Sequence, residues 1–213
     1  MSDNLTPALS TKSSQLEKKV EGFCLIIAPL LFAGSTFFWQ DGEYGMEAAI
    51  LIIFSMFLWI PSLTGLFSLL KNEMPRYAVW GLWIAVFGCI SGVCFAFLGY
   101  LATVFNISHE QYLKLLSHYP VTSQILLFGS GPLFPLSILV LGINLMLKRS
   151  VPAWISILFC LAAIAFPLSR MPRIAWIAHV ADLALFIPSC AIGWEMLRKS
   201  SAYISPSKRQ GLF

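Results

Sequence analysis

Residues Met46 to Leu70 read MEAAILIIFSMFLWIPSLTGLFSLL, and after Glu47 the stretch carries no ionisable side chain. A hydrocarbon core of about 30 Å needs roughly 20 mostly apolar residues per helix, so a run of this length reads as one membrane span. Its apolar residues follow one another without the strict alternation of a barrel strand. Backbone facing lipid must satisfy its own hydrogen bonds, which leaves the α-helix.

The same reading applies on both sides of this stretch, from Val20 to Trp39, Tyr77 to Phe105, Ser123 to Leu147, Ala153 to Leu168 and Ile174 to Leu197. The run from Ala153 is the shortest. Pro152 suits its first turn, where no backbone donor is needed, and Pro167 sits near its end. With 58% apolar residues, 11% charged residues and a mean hydropathy of +0.78, the chain has too little polar surface to cover a soluble globule. The expected architecture is all-α: a polytopic membrane bundle of six transmembrane helices over residues 20–199. A polar cytoplasmic tail (1–19) precedes it and a basic cytoplasmic tail (200–213) follows. The polar N-terminus lacks the apolar core and small-residue site of a cleaved signal peptide, so the first span is expected to stay as an anchor.

Orientation follows from lysine and arginine, which are retained on the cytoplasmic side. Lys12, Lys18, Lys19, Lys71, Arg76, Lys148, Arg149, Arg198, Lys199, Lys208 and Arg209 fall on one side of six spans. Only Lys114, Arg170 and Arg173 fall on the other. Both termini are therefore expected in the cytoplasm of a multi-pass cell-membrane protein. The first external loop agrees, with Asp41, Glu43 and Glu47 and no basic residue. The net charge of +4 fits attraction to an anionic cytoplasmic leaflet and makes no case for nucleic acid. The expected partners are the lipid bilayer and either another membrane protein or a second copy of the chain. All five cysteines, Cys24, Cys89, Cys94, Cys160 and Cys190, lie in apolar runs and read as packing residues.

The longest connection, 106–122, contains Ser108 and Gln111 at capping-box spacing. Tyr112, Leu115 or Leu116, and Tyr119 then recur at helical spacing opposite Glu110, Lys114 and Ser117, as in a short helix lying in the interface. Two echoes, Leu30 to Ser35 against Leu126 to Gly131 and Met74-Pro75-Arg76 against Met171-Pro172-Arg173, admit a duplication. Three spans per half would make it an inverted 3+3 repeat, as in many transporters.

Several residues could carry chemistry. Gly81, Ala85, Gly88, Gly92, Ala96 and Gly99 fall along one face of the third span, where small side chains let helix backbones approach; the alternative is the lining of a narrow path. Arg170, Arg173, His179 and Asp182 gather near the external end of the last two spans. His179 and Asp182 share a helix face. Asp182 lies about 12 Å into the sixth span at roughly 1.5 Å per residue. A carboxylate at that depth must face the bundle, be paired or be protonated, and His179 and one of the two arginines are its expected partners. One reading is an ion pair pinning the fifth span to the sixth. The other is a proton relay or polar substrate site opening outward, with His109, Glu110 and His118 nearby. In the fourth span Gly129-Ser130-Gly131-Pro132 and Pro135 cannot all lie in regular helix. Only His179 lies inside a span, so neither a haem with two axial histidines nor a metal site is expected, and no cofactor is assigned.

Ser130 in the fourth span, with Ala178-His179 in the sixth, resembles the layout of rhomboid intramembrane proteases, which implies a nucleophilic serine and a histidine base. Phe128 and Asp182 stand where that family has glycine, and the second span has no histidine or asparagine for an oxyanion. Pro132-Leu133-Phe134, Lys148-Arg149-Ser150-Val151-Pro152-Ala153-Trp154 and Gly193-Trp194 before a basic end resemble an uncharacterised group of bacterial six-helix integral membrane proteins. That resemblance implies a bacterial inner membrane and assigns no catalytic residue. The function expected is a small transport, channel-like or membrane-sensing component. A rhomboid-like hydrolase and a structural subunit of a membrane complex are the alternatives.

Overall fold

A computed structural model describes residues 5–40 and 43–202, with side chains described over 13–39, 44–108 and 110–200. Asp41, Lys208 and Arg209, together with the side chains of Lys12, Glu43 and His109, lie outside the described residues. Among the described residues, six helices are long and apolar enough to cross a membrane: Ser13–Thr36, Met46–Ser68, Pro75–Val104, Pro120–Leu147, Ala153–Arg170 and Ala175–Ser200.

The first of these belongs to a longer helix, α1 (Leu5–Thr36). It begins well before Val20 because residues 5–19, though polar, include three Leu and three Lys together with Ala8, Gln15 and Glu17, which favour helix without needing lipid. Beyond Thr36 the chain turns into a hairpin that the run-length reading placed partly inside the span. Strands β1 (Trp39–Gln40) and β2 (Glu43–Tyr44) pair antiparallel, Trp39 opposite Tyr44. Helices α2 (Met46–Ser68) and α3 (Pro75–Val104) follow, joined by a short turn. In α4 (His109–Ser117) the capping box is formed: the Gln111 amide donates to Ser108 Oγ, and the Ser108 amide donates to Gln111 Oε1 at 3.0 Å.

The fourth span is broken where glycine and proline require it. It consists of a short helix, α5 (Pro120–Ser123), a π-helical turn (Gln124–Phe128) and α6 (Leu133–Leu147). The Gly129 amide reaches back to the Gln124 carbonyl, and Pro132 has no amide to continue the ladder. Helices α7 (Ala153–Arg170) and α8 (Ala175–Ala202) complete the chain. At about 1.5 Å per residue, the 18 residues of α7 reach roughly 27 Å, close to the thickness a span needs.

The six long helices close a ring in chain order: α1 packs on α2, α2 on α3, α3 on α6, α6 on α7, α7 on α8, and α8 back on α1. This order gives the inverted repeat no support. A two-fold axis in the membrane plane reverses the sense in which helices follow one another round a ring, whereas both halves here run in the same sense. The middle of the ring is filled. Trp59 of α2, Phe134 of α6, Phe166 of α7 and Phe32 of α1 form a continuous file of rings with centroids 5.4, 5.9 and 5.6 Å apart. Aromatic contacts at these spacings contribute about 0.5–1.5 kcal/mol each beyond area burial.

Close backbone approach holds the ring's perimeter. A Cβ on Gly88 would lie 2.5 Å from the Phe134 nitrogen, one on Gly81 2.6 Å from the Phe67 ring, and one on Gly92 2.9 Å from Met56 Sδ. Gly99 faces Tyr44, and Ala85 and Ala96 are fully buried. The small-residue face of α3 therefore packs against α2, α6 and the hairpin and lines no open path. The contact that closes the ring was not foreseen: Gly22 of α1 meets Gly193 of α8, each with its Cβ direction filled by the other's carbonyl, at 2.8 and 2.6 Å. All five cysteines are free.

Candidate functional site

The charged residues converge at the hairpin end of the ring. Asp182 sits two turns into α8 on the face turned toward α1 and α7, and it is 2% exposed. Arg170 is the last residue of α7, and its Nη2 donates to Asp182 Oδ1 at 2.7 Å. The other carboxylate oxygen accepts from Thr36 Oγ1 at 2.6 Å, at the last residue of α1. One carboxylate thereby ties three helices together at their ends. Ser169 Oγ accepts from Arg170 Nη1 at 3.0 Å and itself donates to the Phe166 carbonyl.

Aromatic rings surround the guanidinium. Its central carbon lies 4.5 Å from the Phe166 ring centroid, 4.8 Å from Phe32 and 5.5 Å from Trp39. Each distance falls within the range at which a ring face attracts a cation, an attraction that strengthens when water is excluded. The file of rings that fills the bundle thus ends in a box around Arg170. Tyr44 closes the same side. Burial pushes its phenol above the ordinary value, and this outweighs the neighbouring Arg170 charge, which acts in the opposite direction.

Of the residues singled out from sequence, the structure brings Arg170 and Asp182 into direct contact. His179 is half-buried one turn away and packs against Phe37, the rings tilted by 45° with centroids 4.4 Å apart. Arg173 lies in the turn between α7 and α8 with a left-handed backbone, φ 57°, and burial lowers its pKa. Glu110 is exposed on α4 and His118 is exposed just beyond its last residue, with His118 Nδ1 2.9 Å from the Lys114 carbonyl. Among the described residues, no hydrogen bond joins either of them to Asp182 or Arg170.

Ser130 and His179 have separate partners. Ser130, 3% exposed, donates to Ser91 Oγ of α3 at 2.8 Å, and Ser91 donates to the Leu126 carbonyl of the π-turn at 3.3 Å. The two serines stitch α3 to backbone that the broken fourth span leaves without a regular ladder. A nucleophile needs its base within about 2.6–3.2 Å, and among the described residues Ser130 and His179 share no such bond. Nor do three His, Cys, Asp or Glu side chains converge among them.

Sequence reasoning missed Thr36, Tyr44, Trp39, Phe32 and Phe166. Thr36 and Trp39 lie at the end of the first apolar run, and the phenylalanines are inconspicuous among seventeen. The one available signal was that a cation beside Asp182 at this depth needs company, which aromatic faces can supply.

Fold and site together define a multi-pass helical bundle with a dry ion pair at one end. No family model, curated protein or solved structure matches this chain.

Proposed function

We propose that the chain is a small transport or channel-like component of a cell membrane, held shut in this conformation, with the Arg170–Asp182 pair as its latch. The observation that carries the reading is the position of that pair, which joins the ends of α7 and α8 and, through Thr36, α1 where the interior plug reaches the hairpin end. Apolar side chains of similar volume hold helices together as well as a buried ion pair does, so stability alone gives no reason for the charges. An ionisable pair inside a span is by default a functional feature, and one shared between separate helices can open without disturbing any single helix. The distribution of lysine and arginine supports termini in the cytoplasm and the hairpin end facing outward, as in a bacterial inner membrane.

The test is conductance and solute flux through purified protein reconstituted in lipid vesicles, comparing wild type with Asp182→Asn. Wild type should pass solute above the level of protein-free vesicles. With the latch contact weakened, the variant should leak small ions faster than wild type while keeping its helical circular dichroism and its elution as a single species. Equal permeation by wild type, variant and empty vesicles across inorganic ions and small organic ions would refute the transport reading.

A further inference from the structure

The latch residue itself indicates a cargo. The Arg170 guanidinium occupies a site whose every wall suits a free organic cation. Three ring faces lie at 4.5–5.5 Å, a carboxylate oxygen at 2.7 Å and a serine hydroxyl at 3.0 Å. The carboxylate is held in place from its other side by Thr36. This combination of π faces and one oriented anion is how proteins select guanidinium and substituted ammonium groups over hydrated metal cations, which hold their water too strongly to lie against rings.

The fit of Arg170 to this site is incomplete. Its Nε is buried without a hydrogen-bond partner, and so is the indole nitrogen of Trp39. An arginine kept only to pin two helices would be expected to have its buried donors satisfied. The tether is also favourable for release. Arg170 ends α7, and the next residues form an exposed turn: Met171 is 83% exposed and Arg173 has φ 57°. A side chain there can swing toward the hairpin end without unwinding a helix.

We propose that Arg170 is a tethered stand-in for a guanidinium-bearing or similarly compact organic cation, which enters the box of Phe32, Trp39, Phe166 and Asp182 when the arginine swings out. This deepens the transport reading and rests on it for the step from binding to movement across the membrane. Because the tenant competes with the cargo, apparent affinity in wild type is reduced by the fraction of time the box is empty.

The probe is guanidinium chloride at concentrations well below denaturing, read by titration calorimetry on detergent-purified full-length protein. Sodium chloride and urea, an uncharged molecule of the same planar shape, serve as controls. Wild type should bind guanidinium saturably and bind neither control. Arg170→Ala should bind it at least about tenfold more tightly, and Asp182→Asn should not bind it. If wild type shows no saturable binding, the box is a permanent ion pair and the proposal falls, whether or not Arg170→Ala folds. Equal binding of urea, or binding retained in Asp182→Asn, would also overturn it. Binding without guanidinium flux in reconstituted vesicles would leave the cation site standing and remove the transport reading.

Discussion

Replacing Arg170 by methionine removes the cation facing Asp182 while keeping a long side chain in its place. The carboxylate left behind is 2% exposed and keeps the Thr36 hydroxyl at 2.6 Å. Two unit charges about 4 Å apart interact by roughly 4 kcal/mol at an effective dielectric near 20, and stranding one member of a buried pair costs about 3–5 kcal/mol. Arg170→Met should therefore lose about 3–5 kcal/mol of folding free energy. Asp182→Leu strands the guanidinium instead, and since the three rings still attract it, the loss should fall at the lower end of that range. The double variant strands neither charge and should lie within about 1 kcal/mol of wild type, because well-packed apolar replacements for buried pairs are often neutral. The assay is reversible unfolding in mixed micelles titrated with a denaturing detergent and followed by circular dichroism. Losses below about 1 kcal/mol in both single variants would show a pair behaving as a solvent-exposed one. A double variant equal to the sum of the singles would show that the two side chains do not act on each other. The latch adds a further expectation, that the double variant is stable yet has no regulated flux.

Gly88→Ala should cost about 1–3 kcal/mol by overpacking, because its Cβ would sit 2.5 Å from Phe134 backbone and force α3 away from α6; Gly34→Ala, whose Cβ meets nothing within 4 Å, should not destabilise. Unfolding midpoints in detergent would show the contrast, and equal effects would refute the close crossing. Tyr44 has a phenol pKa raised by burial, so the folded state holds this proton more tightly than the unfolded one. The corresponding stability is fully present below pH of about 10 and is lost as pH rises from there toward the folded value. Tyr44→Phe should flatten that alkaline limb when unfolding midpoints are followed from neutral pH upward, and an unchanged limb would place the titration elsewhere. Ser130→Ala removes one buried hydrogen bond and should cost about 0.5–1.5 kcal/mol with flux retained. A serine-directed fluorophosphonate that labels wild type but not this variant would revive the hydrolase reading.

The sequence by itself determined the number of long helices, their approximate extents and the break in the fourth span. Lipid imposes a one-dimensional rule, about 20 apolar residues per crossing, and proline and glycine break helices wherever they fall. The capping box at Ser108 and Gln111 was legible for the same reason, since its partners lie within one turn. The depth of Asp182 and the need for an arginine beside it could also be read. The tertiary structure decided that this arginine is Arg170, that Thr36 holds the second carboxylate oxygen, and that Phe32, Trp39 and Phe166 box the guanidinium. It also gave Ser130 to Ser91 and turned Gly22 onto Gly193. Helices that are apolar on every side carry little in their sequence to show which face turns inward or which helix comes next. Those partners are fixed only when the ring closes and each helix takes up its rotation against two neighbours.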